Sequence, residues 1–532
     1  MCGIAGITGN NISENIKKML ISIKHRGPDG SGVFVDNKVV YGNLEDIDIA
    51  EGNFGMGHNL LSIVGCNEFQ PLINDNLVLI CNGEIYNFPE LSKTYGFRCP
   101  EKSEPANMEC SGPQNRRFCG IFRGPSNISC LMPRKLCFPG LKKEFHEDFK
   151  TDSDCEIILT LIKRFHQGSL NKAVEKAMKY LDGDYAFAVY DGKNFAAVRD
   201  MTGVKPLYFG ENKEDNIFAF ASERKALQNI GIKNIKTLPP DSMIYNKKLL
   251  KLDNTCLNVQ TSPDILNLSK DALKKRLKNL LIRSVEKRVQ GLSKIGILFS
   301  GGIDSTLLAK ITDDLGVETI LYTVGHKDSI DIKVSKETAE AMNLQLKTRT
   351  IDVDDVKKYL PLVLDAIEEF NIMKIGVGMP AYIASEMAHK DGLKVMFSGQ
   401  GADELFGGYN RYLKLYEEKG ELAGEDLKED ILNLYHVNLQ RDDAVTMANS
   451  VELRVPYLDL DIINTAINIP MKYKISGKED KLRKCILREV AAELGVPAEI
   501  VNRPKKAAQY GSGIHKMLKK VLKGKKYKNK CF

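Results

Sequence analysis

A chain of 532 residues is too long for one hydrophobic core, so two or more domains are expected. Its composition, 43% hydrophobic and 27% charged, is that of an ordinary globular protein, and no apolar run approaches the roughly 18 residues of a membrane span. The formal charge of +7 does not argue for a nucleic-acid partner. Nine Lys/Arg against three Glu lie between Arg98 and Lys143, eight lysines without an acid run from Lys516 to Lys530, and the remainder is net acidic. The opening lacks the basic start and apolar stretch of an export signal, so the cytoplasm is the expected compartment. The twelve cysteines are accordingly expected to be free thiols rather than a disulfide framework.

The first half alternates β-rich runs with Gly, Asn and Asp turns: SGVFVDNKVV, NLVLICNGEIYN, GDYAFAVYDGKNFAAVRD and IFAFASERKAL. These predict strands of packed sheets. Between them SDCEIILTLIKRF predicts a helix, since Ile157, Leu161 and Phe165 recur every four residues. Near Asp264 the pattern changes. An amphipathic helix is predicted with Leu273, Leu277, Leu281, Val285 and Val289 on one face. KIGILFS then reads as a buried parallel strand, SGGIDSTLLAKITDDLG as a glycine turn opening a helix, and VETILYTVG as the next strand. A second junction of strand and glycine turn, LKVMFSGQGADELFGGY, completes the pattern of a doubly wound α/β domain. The domains expected are 1–255, with a Cys-rich insertion over about 96–148, and 264–515, followed by a basic tail over 516–532.

SGGIDS, at 300–305, stands where a strand ends and a helix begins, so backbone N–H groups and the helix dipole form an anion cradle. Asp304 would repel a bare phosphate and suits a Mg²⁺ ion instead, as do Asp403 and Glu404 in the second turn. No Walker G-x-x-x-x-G-K-[ST] and no G-x-G-x-x-G fingerprint occurs. SGGxDS resembles the loop of the N-type ATP pyrophosphatases, which adenylate a substrate by cleaving ATP between its α and β phosphates.

The N-terminal residues raise a second chemistry. Removal of Met1 would leave Cys2 with a thiol near pKa 8.5 and its own α-amine near 7.7 to 8.0, a nucleophile with a built-in base. MCGI does not stand alone. RGPDG (26–30), LSIV (61–64), NGEIYN (82–87), SDCE (153–156) and RDMTGVKPLY (199–208) follow in an order that resembles the class-II glutamine amidotransferase domain. With SGGIDS, SGQGADELFGGY, SVELRVPYLD (450–459) and DKLRKCILRE (480–489), nearly the whole chain resembles the glutamine-hydrolysing asparagine synthetase family.

That resemblance implies an α+β N-terminal-nucleophile glutaminase domain, two packed antiparallel sheets between helices, followed by an α/β doubly wound synthetase domain of the adenine nucleotide alpha hydrolase-like kind. It implies that Cys2 attacks the glutamine amide and that Asn82 and the Gly83 N–H form the oxyanion hole. Glu84 and Asp154 would hold the α-amino group, and Leu60, Leu61, Ser62, Ile63 and Val64 would line the pocket. In the second domain Ser300, Gly301, Gly302, Asp304 and Ser305 would cradle pyrophosphate, and Phe299, Val324, Gly325, Ser398 and Gly399 would border ATP. Asp304 and Asp403 would hold Mg²⁺, and Lys481 would stabilise transition-state charge. L-Aspartate would be adenylated and amidated by ammonia passing internally from the first site. A homodimer is a family-level expectation.

Three features depart from the family. Leu60 stands where H-x-R-L-S-I-V has the arginine that pairs with the glutamine carboxylate. Charge-assisted bonds are worth roughly 1.5 to 3 kcal/mol, so its loss predicts glutamine binding on the order of 10 to 100-fold weaker. Gln400 stands where S-G-E-G has a glutamate that helps form the adenylate or receives the proton of incoming ammonia. The insertion carries Cys99, Cys110, Cys119, Cys130 and Cys137 with no C-x-x-C pair, so a zinc ribbon is poorly supported. A loose surface insertion, a metal or cluster site and a redox or partner-binding element stay open for it. The tail is expected to be a solvated helix end. Other functional readings are another carboxylate acceptor, synthesis from free ammonia alone, a tRNA-modifying ATP pyrophosphatase and a non-catalytic regulatory paralogue. A β-lactam synthetase, which shares the fold, is opposed by Cys2.

Overall fold

Alternation along the N-terminal strands decides how the first half layers. In β1 (Gly3–Thr8) Ile4 enters a core with Phe34, Met56, Ile80 and Ala188, whereas Ala5 and Ile7 pack with Ile16, Met19 and Leu20 of the helix Ile12–Ser22. β1 pairs antiparallel with β2 (Phe54–Leu60) and with Ile217–Ala221, in the middle of a seven-stranded sheet. β3 (Leu77–Ile85) pairs antiparallel with β4 (Gly183–Tyr190) within a six-stranded sheet. Val78 and Ile80 of β3 meet Phe54 and Met56 of β2, so the sheets are packed face to face. Helices cover the outer faces, among them α1 (Glu156–Phe165), whose Ile157, Ile158 and Leu161 are buried. This is the two-sheet glutaminase architecture expected from the sequence. The computed structural model describes residues 2–64, 68–95, 149–151, 153–252, 263–504 and 511–523.

The second half begins with α2 (Lys270–Val289), capped by Ser269, whose hydroxyl accepts from the Ala272 N–H. All five apolar residues of its predicted stripe are buried. There follow β5 (Lys294–Leu298), α3 (Ile303–Asp314), β6 (Glu318–Gly325), β7 (Gln345–Thr350), α4 (Ile372–Lys390), β8 (Val395–Phe397), the short α5 (Ala402–Phe406), α6 (Gln440–Met447), β9 (Glu452–Arg454), α7 (Cys485–Glu493) and α8 (Ile514–Lys523). The five strands form a wholly parallel sheet in the order β7-β6-β5-β8-β9. Leu321 joins the core on one face and Ile320, Tyr322 and Val324 the core on the other, as a doubly wound sheet requires. The chain leaves β5 for β6 on one side and later returns to β8 on the other. β5 and β8 therefore flank the switch point at which such sheets bind ligands, and both glycine turns emerge there.

Residues 1–88 and 153–532 form one compact unit, and 89–152 a second. Of the latter little is described beyond the helix Phe88–Tyr95. The Cys-rich stretch and its metal or redox readings lie outside the described residues, as does the linker 253–262. The domain boundary at 515 is corrected. Ile514, Met517, Leu518 and Val521 of α8 are buried in the core over the parallel sheet, so the lysines from 516 onward begin on the outer face of a packed helix rather than in a tail. Among the described residues, no helix is long and apolar enough to cross a membrane.

Candidate active sites

Pairing of β1 with its neighbours brings the chain start over the end of β3. The Cys2 backbone nitrogen donates to Asn82 Oδ1 at 3.0 Å, across 80 residues of sequence. Asn82 is fully buried and its Nδ2 has no hydrogen-bond partner among the described residues. A buried amide donor left open beside a nucleophile is what an oxyanion hole requires. Gly83 has a steric reason to be glycine, since a Cβ there would lie 2.3 Å from the Asp184 carbonyl oxygen. Cys2 itself is 8% exposed, and burial pushes its thiol above the usual range while the Leu61 N–H bond opposes this.

Asp154 Oδ2 accepts the Ile85 N–H, which places Asp154 next to Glu84 on β3. Burial, with the repulsion of Glu84, pushes the Asp154 carboxyl up to about 7, and burial raises Glu84 as well. Two half-buried carboxylates so placed repel each other, and a substrate ammonium would relieve them. Arg454 from β9 already supplies one cation, 3.1 Å from Glu84 Oε2. Leu60 and Leu61 are buried at the end of β2 and just beyond it. The Ser62 N–H donates to Asp29, and Lys394 Nζ reaches both Asp29 and the Ser62 carbonyl at 2.8 Å. Ile63 packs on Met447 of α6, and Val64 is exposed.

Sequence reasoning missed the buried ion pairs that join this site to the second half. Arg26 donates to the Cys2 carbonyl through Nε and to Glu223 and Asp443 through Nη1. Lys205 lies 3.1 Å from Glu452, which also pairs with Arg454. Charges buried this completely persist only when paired, so removing one member costs about 3 to 5 kcal/mol. Partners hundreds of residues apart leave no local signal. Arg26 and Lys205 sat inside the motifs RGPDG and TGVKPLY, which flagged the positions but not their contacts.

At the switch point the two glycine turns enclose a cavity of about 230 Å³. Phe299, Ser300, Asp304, Ser305, Val324, Ser398, Gly399, Gln400 and Asp403 all line it. Gly301 and Gly302 shape the turn behind this lining. Gly301 has φ +67°, and a Cβ there would come within 2.8 Å of Val334. Gly325 faces Ser329 and Ser512 rather than the cavity.

Lys481 is corrected: its side chain is exposed on a turn. Lys484, three residues on, is fully buried, with Nζ 2.6 Å from Asp304 Oδ2 and 2.5 Å from Asp403 Oδ1. Lys484 precedes α7 with φ +55°, a left-handed conformation that a side chain tolerates only when its surroundings hold it there. Gly408 leaves the space for this contact, since a Cβ would lie 1.9 Å from Asp403 Oδ1. The clue available in the sequence was position: Lys484 directly precedes the apolar helix CILREV, whose start must be buried.

Asp304 and Asp403 thus converge on one point from two turns. Among the described residues no group of three or more His, Cys, Asp or Glu could hold a metal. A cation between these two carboxylates would need phosphate oxygens to complete its shell, and that donor set fits Mg²⁺.

The synthetase half matches the family model described as asparagine synthase over residues 276–429 and 422–526. Models described as glutamine amidotransferase domain match residues 1–103 and 138–229, so the Cys-rich stretch falls largely between them. A putative asparagine synthetase [glutamine-hydrolyzing] 1 of Methanocaldococcus jannaschii is 39% identical, over 98% of this chain and 96% of the relative. The chain belongs to the asparagine synthase family. Asparagine synthetase B [glutamine-hydrolyzing] of Escherichia coli is 27% identical, over 97% of this chain and 82% of its own. Like these relatives of the asparagine synthase family, the chain joins a glutamine amidotransferase domain to a synthetase domain, and is a ligase that couples glutamine use to ATP-dependent amidation.

Proposed function

We propose that the chain converts L-aspartate to L-asparagine through β-aspartyl-AMP, with ammonia from L-glutamine, releasing glutamate, AMP and pyrophosphate. The observation that carries this is the pairing of the buried Lys484 with Asp304 and Asp403, two carboxylates that line the cavity between the two glycine turns. A carboxylate resists nucleophiles until adenylated, and that cavity is bordered by two glycine turns whose carboxylates are backed by a buried cation. Ser300, Ser305, Ser398 and the turn N–H groups hold the phosphates, and Lys484 neutralises charge on the departing pyrophosphate. Mg²⁺ held by Asp304 and Asp403 would supply further charge neutralisation on the phosphates when bound. In the first half the Cys2 thiolate attacks the glutamine amide carbonyl, and Asn82 Nδ2 with the Gly83 N–H receives the oxyanion. The Cys2 α-amine, freed by loss of Met1, takes up the thiol proton and passes it to the leaving nitrogen. Glu84 and Asp154 hold the glutamine ammonium. The reaction suits the cytoplasm, where its substrates are made.

The test is release of pyrophosphate and formation of asparagine with MgATP and aspartate, glutamine compared with ammonium chloride. Amide formed from both donors supports the reading, and another carboxylate supporting amidation in place of aspartate overturns it.

A pH dependence follows from Asp154. Its carboxyl, raised to about 7, is protonated below that pH and then offers no charge to an ammonium. The apparent KM for glutamine is expected to fall about tenfold from pH 6 to pH 8, and Asp154→Asn should flatten this slope at a raised KM. Initial rates across that range check it, with ammonia-dependent synthesis as the reference.

A further inference from the structure

The first turn of α6 stands between the two sites. Asp443 bonds Arg26, which holds the Cys2 carbonyl, whereas Asp442 lines the nucleotide cavity together with Gln400. Ahead of this turn the chain makes a wide π turn over Tyr435–Leu439, an irregularity common beside functional sites. Asp442 and its partner Arg441 are 6% and 7% exposed. Arg441 reaches Asp442 through Nε and Nη2, both on the same oxygen, Oδ1, each at 2.7 Å, while its Nη1 donates to Asn438 Oδ1 at 3.2 Å. Asp442 Oδ2 accepts no hydrogen bond among the described residues. A carboxylate oxygen with an open lone pair, on a residue of the cavity wall that is itself nearly buried, is positioned to accept a proton from something that enters the cavity.

The reaction has such a proton to lose. When ammonia attacks the acyl adenylate, its lone pair forms the C–N bond and the carbonyl π pair moves onto oxygen. The resulting tetrahedral species carries a positive nitrogen. That nitrogen must shed one proton before the oxygen pair reforms the carbonyl and AMP leaves with the electrons of the C–O bond. Gln400, on the same wall, has an amide and cannot take it up.

We propose that Asp442, through Oδ2, accepts this proton and so supplies the acid–base function that Gln400 lacks. The proposal rests on the amidation reading above. Burial raises the proton affinity of Asp442, with Asp443 adding to the effect and Arg441 opposing it. Asp304, Asp331 and Asp403 are the other acids on the cavity wall.

Asp442→Asn keeps the shape and one acceptor for Arg441 but removes the base. Two reactions of the purified full chain separate its effects: ATP–pyrophosphate exchange with aspartate, which reads adenylation, and asparagine formation from ammonium chloride. The expected result is that amide formation falls about 100-fold more than exchange, with the adenylate lost to water. Adding Gln400→Glu to Asp442→Asn should recover at least about tenfold of it, which a merely structural role for Asp442 would not allow. The proposal is overturned if exchange and amide formation fall together, if amide formation stays within about fivefold of native, or if Gln400→Glu gives no recovery. Failure of the native chain to exchange with aspartate would instead strike the acceptor reading, and the comparison would be run with the carboxylate that does support exchange.

Discussion

Cys2→Ala is expected to abolish glutamine-dependent amidation, by about 10⁴-fold or more, while amidation from ammonium chloride continues. The asymmetry follows from where Cys2 sits. Its backbone nitrogen donates to Asn82 and its carbonyl accepts from Arg26, and alanine keeps both bonds. Only the sulfur is lost, from a side chain too small for its removal to open a large cavity. The electrophile, its activation by ATP and the cavity at the switch point belong to the other half and do not involve that sulfur. Asn82→Ala is a graded companion, since it removes the unpartnered Nδ2 and the Oδ1 acceptor of the Cys2 nitrogen but leaves the nucleophilic sulfur, and should cost about 10² to 10³-fold in glutamine use. Measuring glutamate and asparagine in parallel checks both. Appreciable turnover of glutamine by Cys2→Ala would mean that the nucleophile lies elsewhere, and equal loss with both nitrogen donors would mean that Cys2 supports the fold rather than the chemistry.

What could be read from sequence was what local physics determines. The stripe Leu273 to Val289 states which face of its helix is buried, and it is buried as written. A glycine turn between an apolar strand and a helix announces a phosphate cradle, because turn, dipole and strand end are neighbours in the chain. Depth is harder to read. Lys481 and Lys484 are three residues apart and chemically identical, and only the packing of α7 against the second glycine turn decides which one reaches Asp304 and Asp403. In α8 the apolar face of Ile514, Met517, Leu518 and Val521 is interleaved with lysines, so composition masks its helical period. Glu84 meets Arg454 across 370 residues and Arg26 meets Asp443 across 417, so the ion pairs between the halves leave no trace in any window of sequence. Leu60 stands in the H-x-R-L-S-I-V run where the resemblance implies arginine. In the fold it ends β2 as a buried apolar residue, and the nearby Lys394 Nζ is occupied with Asp29 and the Ser62 carbonyl.

Lys484→Ala is expected to lower pyrophosphate release by about 10² to 10³-fold with either nitrogen donor, whereas Lys481→Ala changes it by less than about twofold. Lys484 is a single cation shared by two carboxylates that arrive from separate turns. Its loss has two consequences. Asp304 and Asp403 lose the cation that offsets their repulsion, and the departing pyrophosphate loses the ammonium held behind these two carboxylates. The first is a stability effect of about 3 to 5 kcal/mol, which thermal unfolding would register. The second is a rate effect that persists in protein still folded at the assay temperature. Lys484→Arg separates them: a guanidinium keeps the charge but is bulkier, and with Gly408 packed against this contact it cannot reproduce the geometry. Arginine should therefore restore more of the thermal stability than of the rate. If alanine at 484 lowers stability alone, with turnover per folded molecule unchanged, the lysine only holds the two turns together. If Lys481→Ala proves the damaging change, the exposed turn must close over the cavity when ATP binds, and the role assigned to Lys484 falls.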